Sequence, residues 1–232
     1  MPPPPRRRRS PARPGGARPG PRAGRPRRRD AAAPATRDAI FEAAAHEFSA
    51  RGFDGVSVDD IARRAGVNKA MIYSHFRGKL ALYREIVRDM LREGGARITA
   101  VADTSDPPDV KIRRFVEAFM ALTERRTWFP RLMLREMAEG APHLDPDTLA
   151  GFRTVIGSFT RILTEGQSAG VFRQVHPVLA YLSIIGPLLL NIARERAGAA
   201  PGRGGLQMLA PIPRDEVREH LERTALLVLT RD

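Results

Sequence analysis

The chain has 232 residues, which is room for one large domain or for a small and a medium one. Its 39 Lys and Arg residues outnumber 26 Asp and Glu residues, and the net charge of +13 suggests a nucleic-acid partner or an anionic membrane surface. Because the sequence contains no cysteine, disulfide scaffolds, thiolate zinc sites, iron–sulfur clusters and cysteine nucleophiles are excluded.

Residues 1–34 carry most of the positive charge. They contain eleven Arg and one acidic residue, a charge of +10, together with ten of the 20 prolines. Such a segment cannot bury enough apolar surface to offset chain entropy, so it is predicted to be a disordered tail. It is interpreted either as a basic arm that follows DNA phosphates or as an extension without function. No apolar stretch follows it, so no secretory signal is expected and the protein is predicted to be cytoplasmic.

From residue 35 onward the pattern becomes helical. Apolar residues recur at the spacing of one helix face, namely Ile40, Phe41, Ala44, Ala45 and Phe48. Gly52 can close this helix in the left-handed conformation. Ser57 is a good N-cap for a second, short helix, in which Asp59 and Asp60 place negative charge on the N–H groups of the first turn.

A third helix is predicted from Lys69 to Phe76. A glycine turn at Gly66 and an N-cap at Asn68 join it closely to the second helix. Ile72 and Phe76 face inward, so the small residues at the start of the helix are free to approach base edges in a major groove. The side chains left to donate to phosphates are Lys69, Tyr73 and His75. The same spacing also suits a plain helical bundle in which Tyr73 and His75 are buried.

Residues spread from Thr36 to about Leu91 match a known pattern. They are Gly52, Phe53, Val56, Ser57, Val58, Ile61, Ala62, Ala65, Gly66, Val67, Lys69, Ile72, Tyr73, Phe76, Lys79 and Leu82. With these residues the stretch, about a quarter of the chain, resembles the DNA-binding domain of the tetracycline-repressor (TetR) family of bacterial regulators. The resemblance implies a DNA-binding domain at residues 35–93, a helix-turn-helix motif at 57–76 and a recognition helix at Lys69–Phe76.

The resemblance also implies roles for individual residues. Phosphate contacts are expected from Ser57, Tyr73, His75 and Lys79, and the residues nearest the bases are expected to be Lys69, Ala70 and Met71. Two positions depart from the family pattern, and they put the operator sequence in doubt more than DNA binding. Met71 stands where a small hydroxyl residue is usual and could pack on a thymine methyl group. Val56 stands where threonine is common, which removes one phosphate contact.

No strand-like alternation appears in the sequence, so the predicted fold is all-α. It comprises the three-helix DNA-binding domain and a helical C-terminal domain at residues 94–232, to which the resemblance assigns ligand binding and dimerisation. The candidate lining of a pocket for an apolar ligand consists of Phe115, Phe119, Trp128, Phe129, Met133, Met137, Phe152, Phe159 and Phe172. The same side chains would also suit an ordinary helical core.

Residues 175–193 form a run without charge. A membrane span is one interpretation, but polar residues and Pro187 interrupt the run, and Arg194 follows it at once. The preferred interpretation is a helix at 177–197, kinked at Pro187, that is buried against its own core and a second subunit. With a helix at 214–230 it would form the two-fold interface of a homodimer, and residues 198–213 are predicted to be a loop.

The sequence contains no nucleophile elbow, phosphate loop or dinucleotide fingerprint, and its histidines have no ligand spacing. We therefore expect no enzyme activity, no metal and no cofactor. The predicted function is that of a cytoplasmic, nucleoid-associated transcriptional regulator, and the resemblance to the TetR family implies a homodimer, most simply a repressor, that binds a palindromic operator and is released by an unknown small molecule. The alternatives are a protein that coats DNA through its tail and a membrane-associated protein.

Overall fold

The computed structural model describes residues 29–198 and 212–230, together with Met1. Within these ranges the chain forms nine helices and one isolated β-bridge, between Phe172 and Thr230. The helices are α1 (Arg29–Arg51), α2 (Val58–Ala65), α3 (Lys69–His75), α4 (Lys79–Ala102), α5 (Pro108–Arg125), α6 (Phe129–Ala138), α7 (Pro146–Ser168), α8 (Pro177–Gly198) and α9 (Arg214–Leu229). For the described residues the all-α prediction is confirmed.

Helix α1 begins earlier than the sequence pattern indicated. It starts at Arg29, so the last six residues of the predicted tail are helical and the boundary at residue 34 lies inside α1. The reason is local, because Ala31, Ala32 and Ala33 form a run of the strongest helix former. The rest of the tail, and most of the predicted loop at 198–213, lie outside the described residues.

Local capping signals define α2 and α3. The Ser57 Oγ atom accepts a hydrogen bond from the Asp60 N–H at 3.1 Å, and the Ser57 N–H donates to Asp60 Oδ2 at 3.0 Å, which completes a capping box. The hydrogen bond from the Ser57 hydroxyl to Asp60 Oδ2, followed by the one from the Ser57 N–H, is the main reason why the pKa of the Asp60 carboxyl lies well below its usual value. Gly66 ends α2 in the left-handed conformation, with φ of 68°, and the Asn68 side chain caps α3 by accepting from the Met71 N–H at 3.0 Å.

Helix α4 belongs to both halves of the molecule. It runs without interruption past residues 93–94, where the sequence pattern placed a domain boundary. Gly94 and Gly95 lie inside α4, where the absence of side chains lets two other helices approach closely. A Cβ at Gly94 would lie 3.0 Å from Leu122 of α5, and one at Gly95 would lie 3.1 Å from Thr154 of α7. The two glycines therefore mark close helix packing rather than a break.

The core of the C-terminal half lies between α4, α5, α7 and α8. Phe115 of α5 and Phe159 of α7 are fully buried, with ring centroids 4.9 Å apart, and Tyr181 of α8 packs edge-on against both. Burial raises the pKa of the Tyr181 hydroxyl. The buried Lys111 of α5 donates to the Glu165 carboxylate of α7 at 2.7 Å, so its charge is paired within the fold.

Helix α9 uses its apolar stripe inside its own subunit. Leu221, Ala225 and Leu229 are buried, and α9 packs on α5 and α8. The outer face that remains exposed is mostly charged, ending in Leu227. Most of this stripe therefore completes the fold of one chain, and the contribution of the 214–230 helix to a subunit interface stays a prediction.

Helix α8 is long and apolar enough to cross a membrane by length and composition alone. The segment Pro177–Glu195 has a mean hydropathy of 1.5, and 28% of it is buried within the subunit. Pro187 lies inside the helix, as predicted. The buried side of α8 consists of Ala180, Ile184, Ile185, Leu188 and Leu189. Helix α8 therefore contributes one face to the core and leaves another face, which includes Leu179, Leu182 and Leu190, at the surface.

Two glycines with positive φ give a matched test of how tightly α6 packs on the end of α1. Gly52 and Gly66 have φ values of 77° and 68°, so alanine at either position costs about 1 kcal/mol in backbone strain. A Cβ at Gly52 would also lie 2.1 Å from the guanidinium of Arg135, whereas a Cβ at Gly66 would meet nothing within 4 Å. The guanidinium is the end of a flexible side chain and can move aside, so we expect urea unfolding to show that Gly52→Ala lowers stability by only a few tenths of a kcal/mol more than Gly66→Ala. An excess of about 1 kcal/mol or more for Gly52→Ala that disappears when Arg135 is also replaced by alanine would show instead that Arg135 is held rigidly against α1.

Candidate nucleic-acid interface

One side of helix α3 is buried against the protein, and the opposite side is exposed to solvent. Ile72 is fully buried and Phe76 is 3% exposed, so these two side chains anchor α3 against α1 and α2. On the other side Lys69 and Ala70 are exposed, and Tyr73 is 54% exposed. The alternative in which Tyr73 is a core residue is therefore excluded, and His75 is half-buried beside Phe76. An exposed helix face of about two turns can enter a major groove.

Two of the predicted phosphate contacts are engaged within the protein. The Ser57 hydroxyl donates to Asp60 Oδ2 at 2.7 Å and thus belongs to the capping box. The Lys79 ammonium donates to the carbonyl oxygens of Phe53 and Val56, each at 2.9 Å, and lies 4.1 Å from the centre of the Phe53 ring. Lys79 therefore closes the connection between α1 and α2 and keeps one N–H for a phosphate.

The sequence analysis missed a charged pair on this surface. The Asp59 Oδ2 atom lies 2.9 Å from the Lys69 Nζ atom, and both side chains are at least half exposed. The carboxylate of Asp59 raises the pKa of Lys69, mainly through this hydrogen bond. Asp59 lies in the first turn of α2, as predicted, but its carboxylate also reaches α3, and Asp60 alone makes the capping box. Residues ten apart on two different helices give no sequence signal that they meet.

A polar cluster joins the DNA-binding helices to α6 and the loop that follows it. We call Phe53, Tyr83, Glu136 and His143 the junction cluster. Glu136 is 1% exposed, and its carboxylate accepts hydrogen bonds from the Tyr83 hydroxyl and from the backbone N–H of His143, the latter at 3.0 Å. The His143 ring lies 4.2 Å from the Phe53 ring, centre to centre. Burial is the largest cause of the raised pKa of the Tyr83 hydroxyl, and the hydrogen bond to Glu136 is the second.

A second contact between the halves centres on Arg126, at the end of α5. Its guanidinium donates to Glu42 of α1 and to Asp89 of α4, the latter at 3.3 Å. It also lies 5.9 Å from the Trp128 ring, whose Nε1–H donates to Glu42 at 3.3 Å. Trp128, predicted to line a ligand pocket, therefore fixes the position of α1.

The other candidate pocket residues have different surroundings. Phe115, Phe119 and Phe159 come together in the core between α5 and α7. Phe129, Met133 and Phe172 are buried, and Phe152 is half-buried. Met137 is 54% exposed because the inward face of α6 is formed by Phe129, Leu132, Met133 and Glu136. The structure thus brings three of the nine residues into one cluster and places Met137 at the surface.

A cleft of about 260 Å³ lies between α5, α8 and α9, and none of the nine candidate residues lines it. Its apolar wall includes Met120, Leu188 and Val217, and its polar wall includes Thr123 and Asn191. Among the described residues no group of three or more His, Asp or Glu side chains is arranged to hold a metal ion.

The structure contains a helix-turn-helix whose second helix has one buried and one exposed side, followed by a helical C-terminal domain. This arrangement is typical of DNA-binding transcriptional regulators. Comparison with known proteins identifies the family. Residues 40–86 match the pattern of "Bacterial regulatory proteins, tetR family", and residues 108–200 match that of "Tetracyclin repressor-like, C-terminal domain". The chain belongs to the TetR family of transcriptional regulators.

Individual relatives agree with this assignment. The HTH-type transcriptional regulator RutR of Escherichia coli O157:H7 is 27% identical over 150 residues, which cover 65% of this chain and 70% of RutR. The HTH-type transcriptional repressor KstR2 of Mycolicibacterium smegmatis is 34% identical over 90 residues, 38% of this chain and 44% of KstR2. The crystal structure of the TetR family regulator PfmR from Thermus thermophilus gives a TM-score of 0.63 at 28% identity and covers 83% of this chain and 99% of PfmR.

Proposed function

We propose that this protein is a homodimeric repressor that binds a palindromic operator and is released from it by a small molecule. The observation that carries the proposal is the geometry of α3, in which buried Ile72 and Phe76 hold exposed Lys69, Ala70 and Tyr73 outward. Repression is the direction named for KstR2, the relative with 34% identity. The DNA-binding domain is assigned to residues 35–93 and the regulatory domain to 94–232, with α4 shared between them.

The DNA contacts divide into two groups. Lys69, Ala70 and Met71 begin α3 and face the bases, because the N-terminal residues of a recognition helix enter the groove most deeply. Tyr73 and His75 contact phosphates directly. Lys79 does so through the N–H that it keeps free, and Ser57 does so when its hydroxyl leaves Asp60 on binding. Phosphate contacts fix the register of the protein on DNA, and base contacts decide the sequence.

The homodimer rests on α8. Leu179, Leu182 and Leu190 are 64%, 45% and 65% exposed, and they recur along one side of that helix. Such a stripe of large apolar side chains on an otherwise polar surface is typical of a subunit interface. Leu227, 69% exposed near the end of α9, extends the same apolar character to the neighbouring helix. Two copies related by a two-fold axis would present two α3 helices to a palindromic operator.

Release by a small molecule requires a binding site and a connection to α3. The cleft between α5, α8 and α9 combines apolar and polar walls, as binding sites for small organic molecules do. The junction cluster and the Arg126 contacts connect the C-terminal helices to α1 and α4. A ligand that favours another arrangement of these helices would shift the population toward dimers whose α3 helices no longer match a spacing of about 34–36 Å. Screening apolar small molecules for release of bound DNA tests this part.

The first experiment is a fluorescence-anisotropy titration of the full-length protein with the DNA upstream of its gene, at about 150 mM salt with scrambled competitor. We expect specific binding to exceed nonspecific binding by about a thousandfold. Tyr73→Ala should weaken specific binding by about tenfold, because it removes an exposed phosphate donor beside the groove. Tyr73→Phe, the matched control, keeps the ring and should show how much of this loss comes from the hydroxyl.

The same titration separates the helix-turn-helix from the tail. A chain that lacks residues 1–28 keeps all of α1, and it should bind more weakly and with a shallower salt dependence while retaining its sequence preference. If the full-length protein binds every sequence equally and the shortened chain binds none, the tail is the DNA-binding element and the protein coats DNA. That result would reject operator recognition by α3.

A further inference from the structure

The Asp59–Lys69 ion pair bridges the two helices of the helix-turn-helix on its exposed side. Asp59 is the second residue of α2 and Lys69 is the first residue of α3. Their side chains are 64% and 50% exposed, and the Oδ2 and Nζ atoms are 2.9 Å apart. The pair therefore lies at the end of α3 that approaches base edges when a recognition helix enters the major groove.

The carboxylate of Asp59 lies in the first turn of α2 but makes no capping hydrogen bond there. Asp60 makes both bonds of the capping box, and the bond that the structure gives to the Asp59 side chain is the one to Lys69. A free carboxylate on a surface that approaches phosphates opposes DNA binding through charge repulsion. At this position the Lys69 ammonium neutralises it, so the pair can approach DNA as a hydrogen-bond donor beside an acceptor.

A G·C base pair presents the complementary pattern in the major groove. Guanine offers the acceptors O6 and N7, and the N4 amino group of its cytosine partner lies beside O6 as a donor. We propose that Asp59 and Lys69 together recognise one G·C base pair in each operator half-site. Lys69 donates to guanine O6 and N7, and Asp59 accepts from cytosine N4. The inference rests on the proposed operator recognition by α3 and names the base pair that α3 selects.

Other base pairs satisfy the two side chains less well. In an A·T pair the N6 amino group of adenine replaces the O6 acceptor, so Lys69 keeps N7 alone, Asp59 accepts from N6 in place of cytosine N4, and one hydrogen bond is lost. In a C·G pair the donor and acceptor are exchanged, so each side chain would face a group of its own kind. Ala70 and Met71, which follow Lys69 on α3, offer no side-chain N–H or carboxylate, so this ion pair supplies the charged hydrogen-bonding groups at the start of the helix.

The test is a selection from a random DNA library with full-length wild type, Asp59→Ala and Lys69→Ala. Wild type should enrich a two-fold symmetric site with one G·C position in each half. Both variants should lose about tenfold of the preference at that position and keep the preference elsewhere in the site. Asp59→Ala should also bind scrambled DNA several-fold more tightly, because it removes a negative charge and frees Lys69 for a phosphate.

Asp147→Asn is the control, since it removes the charge of another exposed carboxylate, in the first turn of α7, and should leave the enriched site unchanged. Both ion-pair variants should unfold at nearly the wild-type temperature, because exposed ion pairs contribute little to stability. If wild type enriches a symmetric site and Asp59→Ala enriches the same site with the same preferences, the inference is overturned and operator recognition stands. If folded Asp59→Ala loses all specific binding, the inference is also overturned. If wild type enriches no sequence, the proposed function itself fails.

Discussion

Replacing both Leu182 and Leu190 by glutamate is expected to convert the protein into a monomer. The two side chains lie on the exposed side of α8, and burying two carboxylates against a second subunit would cost more than the apolar contact provides. A monomer engages one half-site at a time, so operator affinity should fall at least about a hundredfold. Analytical ultracentrifugation gives the oligomeric state, and anisotropy gives the affinity.

The matched control for this variant is Met137→Glu, which places the same charge at an exposed apolar position on α6. It should leave both the mass in solution and the affinity unchanged. A dimer that persists in the double variant of α8 would show that the subunits associate through another surface. A monomer that retained wild-type affinity would contradict the proposal that two α3 helices bind one palindrome.

Glu136→Ala is expected to lower the free energy of unfolding by about 3 kcal/mol. The substitution leaves the Tyr83 hydroxyl and the His143 N–H without their buried acceptor and also removes side-chain volume. In a chain of this length the loss corresponds to a fall in Tm of about 6–12 °C. Urea unfolding and calorimetry measure the two quantities.

Glu136→Gln removes the charge but can keep both contacts, because the amide oxygen accepts from the His143 N–H while the amide NH2 group donates to the Tyr83 hydroxyl oxygen, which reverses the direction of that bond. It should cost about 1 kcal/mol, well below the alanine variant. If Glu136→Ala and Glu136→Gln cost the same, the hydrogen bonds to Tyr83 and His143 are not what stabilises the junction. Combining Tyr83→Phe with Glu136→Ala should cost less than the sum of the single changes, since the two residues share one bond.

Local signals in the sequence were enough to locate helices α2 and α3 of the candidate interface. The capping residues Ser57 and Asn68 and the buried pair Ile72 and Phe76 each depend on neighbours within about four residues, so spacing alone identifies them. The predicted helices at 177–197 and 214–230 correspond closely to α8 and α9 for the same reason. The assignment of the predicted contacts to phosphates and bases stays a prediction that the DNA experiments test.

Contacts between distant segments gave no such signal. Lys79 was predicted to be a phosphate contact, but it also closes the connection between α1 and α2 through two carbonyl oxygens more than twenty residues away. Glycine disfavours the interior of a helix, and only the positions of Leu122 and Thr154 explain why Gly94 and Gly95 lie inside α4. Which side of α9 faces the core depends likewise on where α5 and α8 lie.

Because α4 is continuous, its length determines how far a movement in the C-terminal helices would displace α3. Its 24 residues form a rod about 36 Å long, with one end beside α3 and the other packed against α5 and α7. A tilt of about 5° at the far end moves the near end by about 3 Å, almost the axial rise of about 3.4 Å between successive base pairs. In the proposed dimer, a displacement smaller than one side chain within the C-terminal helices would therefore be enough to move the two α3 helices out of register with DNA.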